Sequence, residues 1–327
     1  MKKRLLNILL VSVLSFSLCA CGDADAQQAT QTKEGIKQQD TDGKTVPQSK
    51  EESNETTESE ESDATESDEE EESAPAQGID LSAFTEPTDA GAFEYEEKGD
   101  GTIRITGLLD KSLEVMVIPE QISGKPVTKI GRSAFRECKS LTSIVIPDSV
   151  TMIEAQAFDR CNALESVTIG NGVTKIDVEA FEACTSLASL VIGESVTWIG
   201  SGAYRNCESL TSVIIPDSVT YIGDEAFSEC INLESLTIGN SVTEIDMEAF
   251  EGCKGLTSVT IPDSVTYIGT YAFIGCTGLT EVTFGEGVTE IGDRIFYGCN
   301  KLTTINTPEG SYAEYWVNER MNRTTGG

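Results

Sequence analysis

Cysteine is the residue type in this chain best suited to chemistry, and its spacing is regular. Cys138, Cys161, Cys184, Cys207, Cys230, Cys253, Cys276 and Cys299 stand 23 residues apart, each inside a phrase such as "AFSECINL" (226–233) or "AFEGCKGL" (249–256). Regularly spaced thiols suit metal binding, disulfide bonding or a duller role as small buried hydrophobes. A zinc site needs four converging ligands, commonly as close C-x-x-C pairs, whereas these arrive singly, one per period. The chain has no histidine, which removes the usual metal ligand, the usual general base and the third party of most nucleophilic triads. With no nucleophile–base set and no phosphate loop, neither catalytic nor metal-ligating residues are expected, nor a cofactor. An oxidising compartment would favour disulfides. Stacked layers, however, hold neighbouring Cβ atoms about 4.8 Å apart, wider than the roughly 3.8 Å that a disulfide prefers. The expectation is that each sulfur sits in the core with its weak S–H donor aimed at a turn carbonyl.

What would position such thiols is a repeating unit. From Val145 onward the chain can be cut every 23 residues without a gap, into units such as "IIPDSVTYIGDEAFSECINLESL" (214–236) and "TIGNSVTEIDMEAFEGCKGLTSV" (237–259). A less regular first copy begins near Val117 with the inserted loop "SGKP". Fixed periods of 20 to 29 with recurring leucines signal a leucine-rich-repeat solenoid. Within a unit, Leu210, Val213 and Ile215 alternate inward on a short strand that Pro216 stops. Val219 and Ile222 point inward on a second short edge. Gly223, matched elsewhere by Asp177 and Asp246 and awkwardly by Glu154, suits a turn with positive φ. "DEAFSEC" then reads as a short helical or 3-10 turn with Ala226 and Phe227 inward. Eight repeats over 117–305, their parallel strands about 4.8 Å apart, make a curved rod near 40 Å long. Both ends look capped: a β-hairpin in "AFEYEEKGDGTIRITG" within 89–116, and a helix in "SYAEYWVNER" within 306–327. Ser311 and Glu314 form the capping box of that helix, and Tyr312, Tyr315 and Trp316 are spaced to cover the last open layer.

Ahead of the repeats lie two other materials. "MKKR" followed by "LLNILLVSVLSFSLCA" has the charged and apolar regions of a signal peptide, residues 1–20. Its end, Leu18-Cys19-Ala20-Cys21, resembles a bacterial lipobox. That resemblance implies cleavage after Ala20 and diacylglycerol on Cys21, anchoring the protein to the outside of the bacterial cell membrane. Ordinary cleavage after "ADA" (24–26) is the alternative and would release the protein. Residues 21–88 read as a disordered linker: between 22 and 90 there are 21 acids against 4 lysines, and almost nothing apolar to offset the entropy of ordering. Such a tether spans about 230 Å at full stretch and about 45 Å as a relaxed coil. A net charge of −32 argues against nucleic acid or an anionic membrane surface as partner.

The unit I-P-x-S-V-T-x-I-G-x-x-A-F-x-x-C-x-x-L-x-x-V resembles the leucine-rich repeat of BspA-like bacterial surface proteins, and the hairpin and the "EGSYAEYW" tail resemble that family's flanks. The resemblance implies a surface-exposed, non-enzymatic protein associated with adhesion, without naming a ligand.

Binding in a solenoid falls to positions that packing leaves free. On the strand face, the columns running through Ser189 and Ser212 and through Val191 and Ile214 should form a flat hydroxyl and β-branched surface with an apolar spot at the last two. Residues of these types in register also simply stabilise stacked strands. A further column reads Met152, Lys175, Trp198, Tyr221, Glu244, Tyr267, Glu290, in which Trp198, Tyr221 and Tyr267 are candidate aromatic anchors. The functional expectation is a monomeric cell-surface lipoprotein that binds an extracellular protein or glycan; the alternative is a structural spacer or surface-coat protein with no specific ligand.

Overall fold

The computed structural model describes residues 86–320. The signal segment, Cys21 and the linker up to residue 85 lie outside the described residues, as do residues 321–327. The described chain winds into a solenoid of short parallel strands. β1 (Phe93–Glu97) pairs antiparallel with β2 (Ile103–Leu108), and β2 then pairs in parallel with β5 (Lys125–Ile130). The expected hairpin is thus itself the first layer of the long sheet. Between them, β3 (Val115–Val117) opens the strand face, and β4 (Gln121–Ile122) folds back on β5. Ser123 and Gly124 of the inserted loop make that reversal with φ of 54° and 76°, as a tight hairpin turn requires.

After β5 each 23-residue unit contributes one face strand and one edge strand. The edge strands run from Met152–Ile153 to Glu290–Ile291 in unbroken parallel register. Nine face strands, from β3 to Thr304–Asn306, give about nine turns among the described residues. The face sheet is divided, with breaks in pairing between Leu190 and Val213 and between Leu236 and Val259. Both breaks follow a layer with leucine at the strand centre. Elsewhere from Ser143 onward that position is valine or isoleucine, whose branching at Cβ suits a pleated surface.

The third side of each layer narrows one expectation and corrects another. Of the helical and 3-10 alternatives for "DEAFSEC" the i→i+3 pattern is the one found, as a run of turns: Ala226, Ser228 and Cys230 donate to the carbonyls of Gly223, Glu225 and Phe227. The intervening N–H groups of Glu225, Phe227 and Glu229 donate instead to Met247, Ala249 and Glu251 in the next layer, at 2.7–2.9 Å. Helix propagation is blocked because positive φ recurs within the run, 51° at Glu225 and 55° at Glu229, and a left-handed residue cannot continue a right-handed helix. Positive φ therefore falls two and six residues after Gly223, not at it. Gly223 is small for another reason: a Cβ there would lie 2.8 Å from the Ser201 nitrogen of the preceding layer.

Each inward position builds a column. Phe135, Phe158, Phe181, Tyr204, Phe227, Phe250 and Phe273 stack face to face with ring centroids 4.9–5.5 Å apart. The eight thiols form a buried column beside them. From Cys161 to Cys299 each Sγ–H donates to the carbonyl of the ring residue 26 positions earlier, at 3.1–3.3 Å. Burial raises the interior thiols Cys207, Cys230 and Cys253 far above the usual range, Cys230 to about 12, so thiolate reactivity is suppressed. Threonine at the corner ties one layer to the next: Thr151, Thr174, Thr197, Thr220 and Thr243 each donate Oγ1 to the threonine carbonyl one layer back, at 3.0–3.2 Å.

At the far end α1 (Tyr312–Arg320) closes the stack. Ser311 Oγ accepts from the Glu314 N–H at 3.1 Å, and Glu314 accepts from the Gly310 N–H at 2.7 Å, one residue beyond the usual capping-box partner. Of the three aromatic residues expected to cover the last layer, Trp316 does so, together with Ala313. Tyr312 and Tyr315 face solvent.

Candidate binding surface

The parallel register of the edge strands places Lys175, Trp198, Tyr221, Glu244, Tyr267 and Glu290 one above another. Because the inward residue of each two-residue strand is an isoleucine, its partner in this column must face out. Trp198 remains 40% exposed. Its ring stacks on Tyr221 with centroids 3.9 Å apart and planes inclined by 22°, and the Lys175 ammonium lies 5.8 Å from the Trp198 centroid. The two rings thus cover a face of each other, which leaves Trp198 exposed and Tyr221 half-buried. Tyr221 Oη donates to Asp246 Oδ2 at 2.7 Å, so the pair is clamped at one end by a hydrogen bond and at the other by a cation. Tyr267 lies beyond Glu244 and does not join the stack.

The surroundings are acidic. Burial and the Asp246 carboxylate raise the Asp224 carboxyl above the ordinary aspartate range. Burial and the Asp246 hydrogen bond push the Tyr221 hydroxyl up as well, so it remains a donor at neutral pH. Nothing in its residue type marks Asp246 as a site residue, but its position carries a signal. It stands in the column that elsewhere holds glycine, and so do Asp177, which pairs with Lys175 at 3.3 Å, and Glu154, which pairs with Arg104 of the hairpin. Each departure from glycine in this column anchors a neighbouring side chain.

On the strand face Val191 and Ile214 are 50% and 57% exposed, and they flank the first break in the face sheet. The serine column is less uniform than its sequence implies. Ser143 and Ser166 are buried, Ser189 and Ser212 half-buried, and Ser235 and Ser258 exposed, so the hydroxyl surface lies toward the C-terminal half. The structure therefore brings Trp198 to Tyr221 and Ser189–Val191 beside Ser212–Ile214, on two separate sides of the same layers. Among the described residues no group of three or more Cys, Asp or Glu is arranged to hold a metal ion, and no helix is long and apolar enough to cross a membrane.

Comparison with known proteins agrees with this architecture. The sequence matches the BspA type leucine rich repeat region in six copies, over residues 128–257 and 197–315. The crystal structure of a T. pallidum leucine-rich repeat protein is similar, with 31% identity and a TM-score of 0.55, covering 74% of this chain and 97% of that one. A leucine-rich repeat protein from Bacteroides ovatus is 26% identical with a TM-score of 0.51, covering 68% of this chain and 71% of that one. No curated protein matches the sequence.

Proposed function

Because the chain belongs to the BspA-type leucine-rich repeat family, a family of bacterial surface proteins whose repeats are interaction scaffolds, we infer that it is a cell-surface lipoprotein anchored through Cys21 whose solenoid binds an extracellular partner at the Trp198–Tyr221 edge. The observation that carries this reading is the clamped ring pair. An exposed Trp198 and a half-buried Tyr221, held by Lys175 and Asp246, lose little further freedom on binding, and aromatic anchors on rigid frames dominate interface energetics. Asp224, Asp246 and Glu244 around the rings favour a partner face carrying lysine or arginine. A protein fits better than a glycan, since each ring has one face covered by its neighbour and offers less flat surface for a sugar.

An extracellular-protein and glycan array probed with the chain identifies the ligand. Trp198→Ser combined with Tyr221→Ser should then weaken binding by tens-fold, on the order of 2 kcal/mol, and affinity should fall as salt is raised. If instead Ser189→Arg with Ser212→Arg abolishes binding and the aromatic pair is dispensable, the broken face sheet is the site. Indifference to both, or an empty array, favours a spacer without a ligand. The anchor has its own test: Cys21→Ala should shift the protein to the medium or leave an uncleaved precursor.

A further inference from the structure

The edge column carries three aromatic rings at two different spacings. Trp198 and Tyr221 stand in adjacent layers and close on each other at 3.9 Å. Tyr221 and Tyr267 are separated by the layer of Glu244, in register with both, which sets the two tyrosine positions about 9.6 Å apart. One face of Tyr221 is covered by Trp198, so its other face turns toward the Glu244 layer. Its hydroxyl donates to Asp246 of that layer at 2.7 Å. From the far side, burial and then the same Asp246 carboxylate raise the Tyr267 hydroxyl above the usual tyrosine range. Two half-buried rings thus flank one layer whose outward side chains are Glu244 and Asp246. Among the described residues no lysine or arginine pairs with Asp224, Glu244, Asp246 or Glu290.

The same three positions recur three layers earlier with a cation built in. Lys175, Asp177 and Trp198 occupy there the places that Glu244, Asp246 and Tyr267 occupy here. The Lys175 ammonium pairs with Asp177 at 3.3 Å and lies 5.8 Å from the Trp198 centroid. Where the column has Glu244 in place of lysine, ring and aspartate are kept and the cation must come from outside the chain.

We propose that the interval between Tyr221 and Tyr267 is a binding site for a trimethylammonium group, with Glu244 and Asp246 as its counter-charge. A nitrogen midway lies about 4.8 Å from each ring, inside the roughly 6 Å over which a ring face attracts a cation. Its methyl groups then meet both faces at about 3.5–4.0 Å. A guanidinium stacked between rings fills only about 7 Å of this interval, and a bare ammonium touches one ring at a time. A quaternary nitrogen also has no N–H to leave unpaired between the rings. The proposal goes beyond the partner surface inferred above: it uses the Tyr221 face turned away from Trp198, and it requires Tyr267, which that surface does not.

Choline is the probe, titrated into the isotope-labelled full chain in maltoside detergent with the ring resonances as readout. It should shift Tyr221 and Tyr267, and bind at least tenfold more tightly than its uncharged carbon isostere and than methylammonium. Tyr267→Met installs a residue that the same column holds at Met152. It should weaken choline binding about three- to fivefold and leave the circular dichroism spectrum unchanged. Glu244→Lys, which supplies an ammonium from the chain itself as Lys175 does, should weaken it at least tenfold. Affinity for the array-identified partner should hold in Tyr267→Met and fall in Trp198→Ser, so the two readings fail separately. Phosphocholine distinguishes the sources of the group: affinity equal to that of choline supports a phosphate-linked head group, and weaker affinity a small free cation. Equal binding of the carbon isostere would make the interval merely apolar, and tighter binding of methylammonium would assign it to a lysine side chain. Either result overturns the proposal, as does an absence of ring shifts or an unchanged affinity in Tyr267→Met.

Discussion

Tyr204 takes the place of phenylalanine in the ring stack, and its hydroxyl is fully buried with no acceptor among the described residues. The rings on either side, Phe181 and Phe227, lie 5.3 and 5.2 Å away, so the stack tolerates tyrosine sterically while the hydroxyl remains desolvated. Tyr204→Phe should therefore stabilise the protein by about 1 kcal/mol, a rise of roughly 2–4 °C in melting temperature for a domain of this size. An unchanged or lower melting temperature would mean that the hydroxyl has found a buried water. Asp224 offers a second test at the same scale. Its carboxyl is raised above the unfolded value by burial and by Asp246. Between those two values the native state binds more protons than the unfolded chain, so this group's contribution is most favourable at low pH and is lost as pH rises through the native value. Asp224→Asn should raise the melting temperature at pH 7, and the gain should shrink toward zero below about pH 4. A gain independent of pH would assign the effect to something other than charge.

At the scale of elements, what the sequence makes legible depends on whether a position acts within its own layer or between layers. The inward positions of the strands, Val213, Ile215, Val219 and Ile222, follow from period-two alternation and are all buried. The cysteine column follows from layer spacing. The turn follows only in part, because a short window around Ala226 and Phe227 suits a helical and a 3-10 turn equally. Only the interlayer bonds, made to residues 22 positions away, select alternating turns instead. The exposed aromatic column is readable from register alone, whereas its clamp by Asp246, 25 residues from Tyr221 in sequence, requires knowing which columns lie side by side. Glu154 shows the same lesson with a consequence. It replaces glycine because Arg104 of β2 crosses the preceding layer to reach it, and Arg104 also holds Glu96 of β1 at 3.0 Å. Restoring the repeat with Glu154→Gly should loosen the hairpin by about 1.5 kcal/mol, seen as roughly tenfold faster amide exchange in β1 and β2 with no change beyond the next layers. Uniform loss of protection along the whole solenoid would contradict a local hook.

For the molecule as a whole, stacking makes layers exchangeable, because each contacts only its neighbours and stability is a sum over layers and interfaces. Every column described above repeats at 23 residues, so removing one unit rejoins strands, rings, thiols and turn ladder in register. Removing half a unit would place strand against turn and destroy the core. Two single-unit deletions then separate fold from binding. Deleting 214–236 removes Tyr221 and sets Trp198 against Glu244; deleting 237–259 removes Glu244 and sets Tyr221 against Tyr267. Both should fold, with melting temperatures a few degrees below the parent. The first should lose partner binding together with the ring pair. The second keeps Trp198 stacked on Tyr221 but gives up the Asp246 clamp and the Asp246 and Glu244 carboxylates, so binding should weaken yet persist, less reduced than by loss of the ring pair. Equal loss of binding in both deletions, with both proteins folded, would mean that the partner reads the length or curvature of the rod and not the aromatic edge.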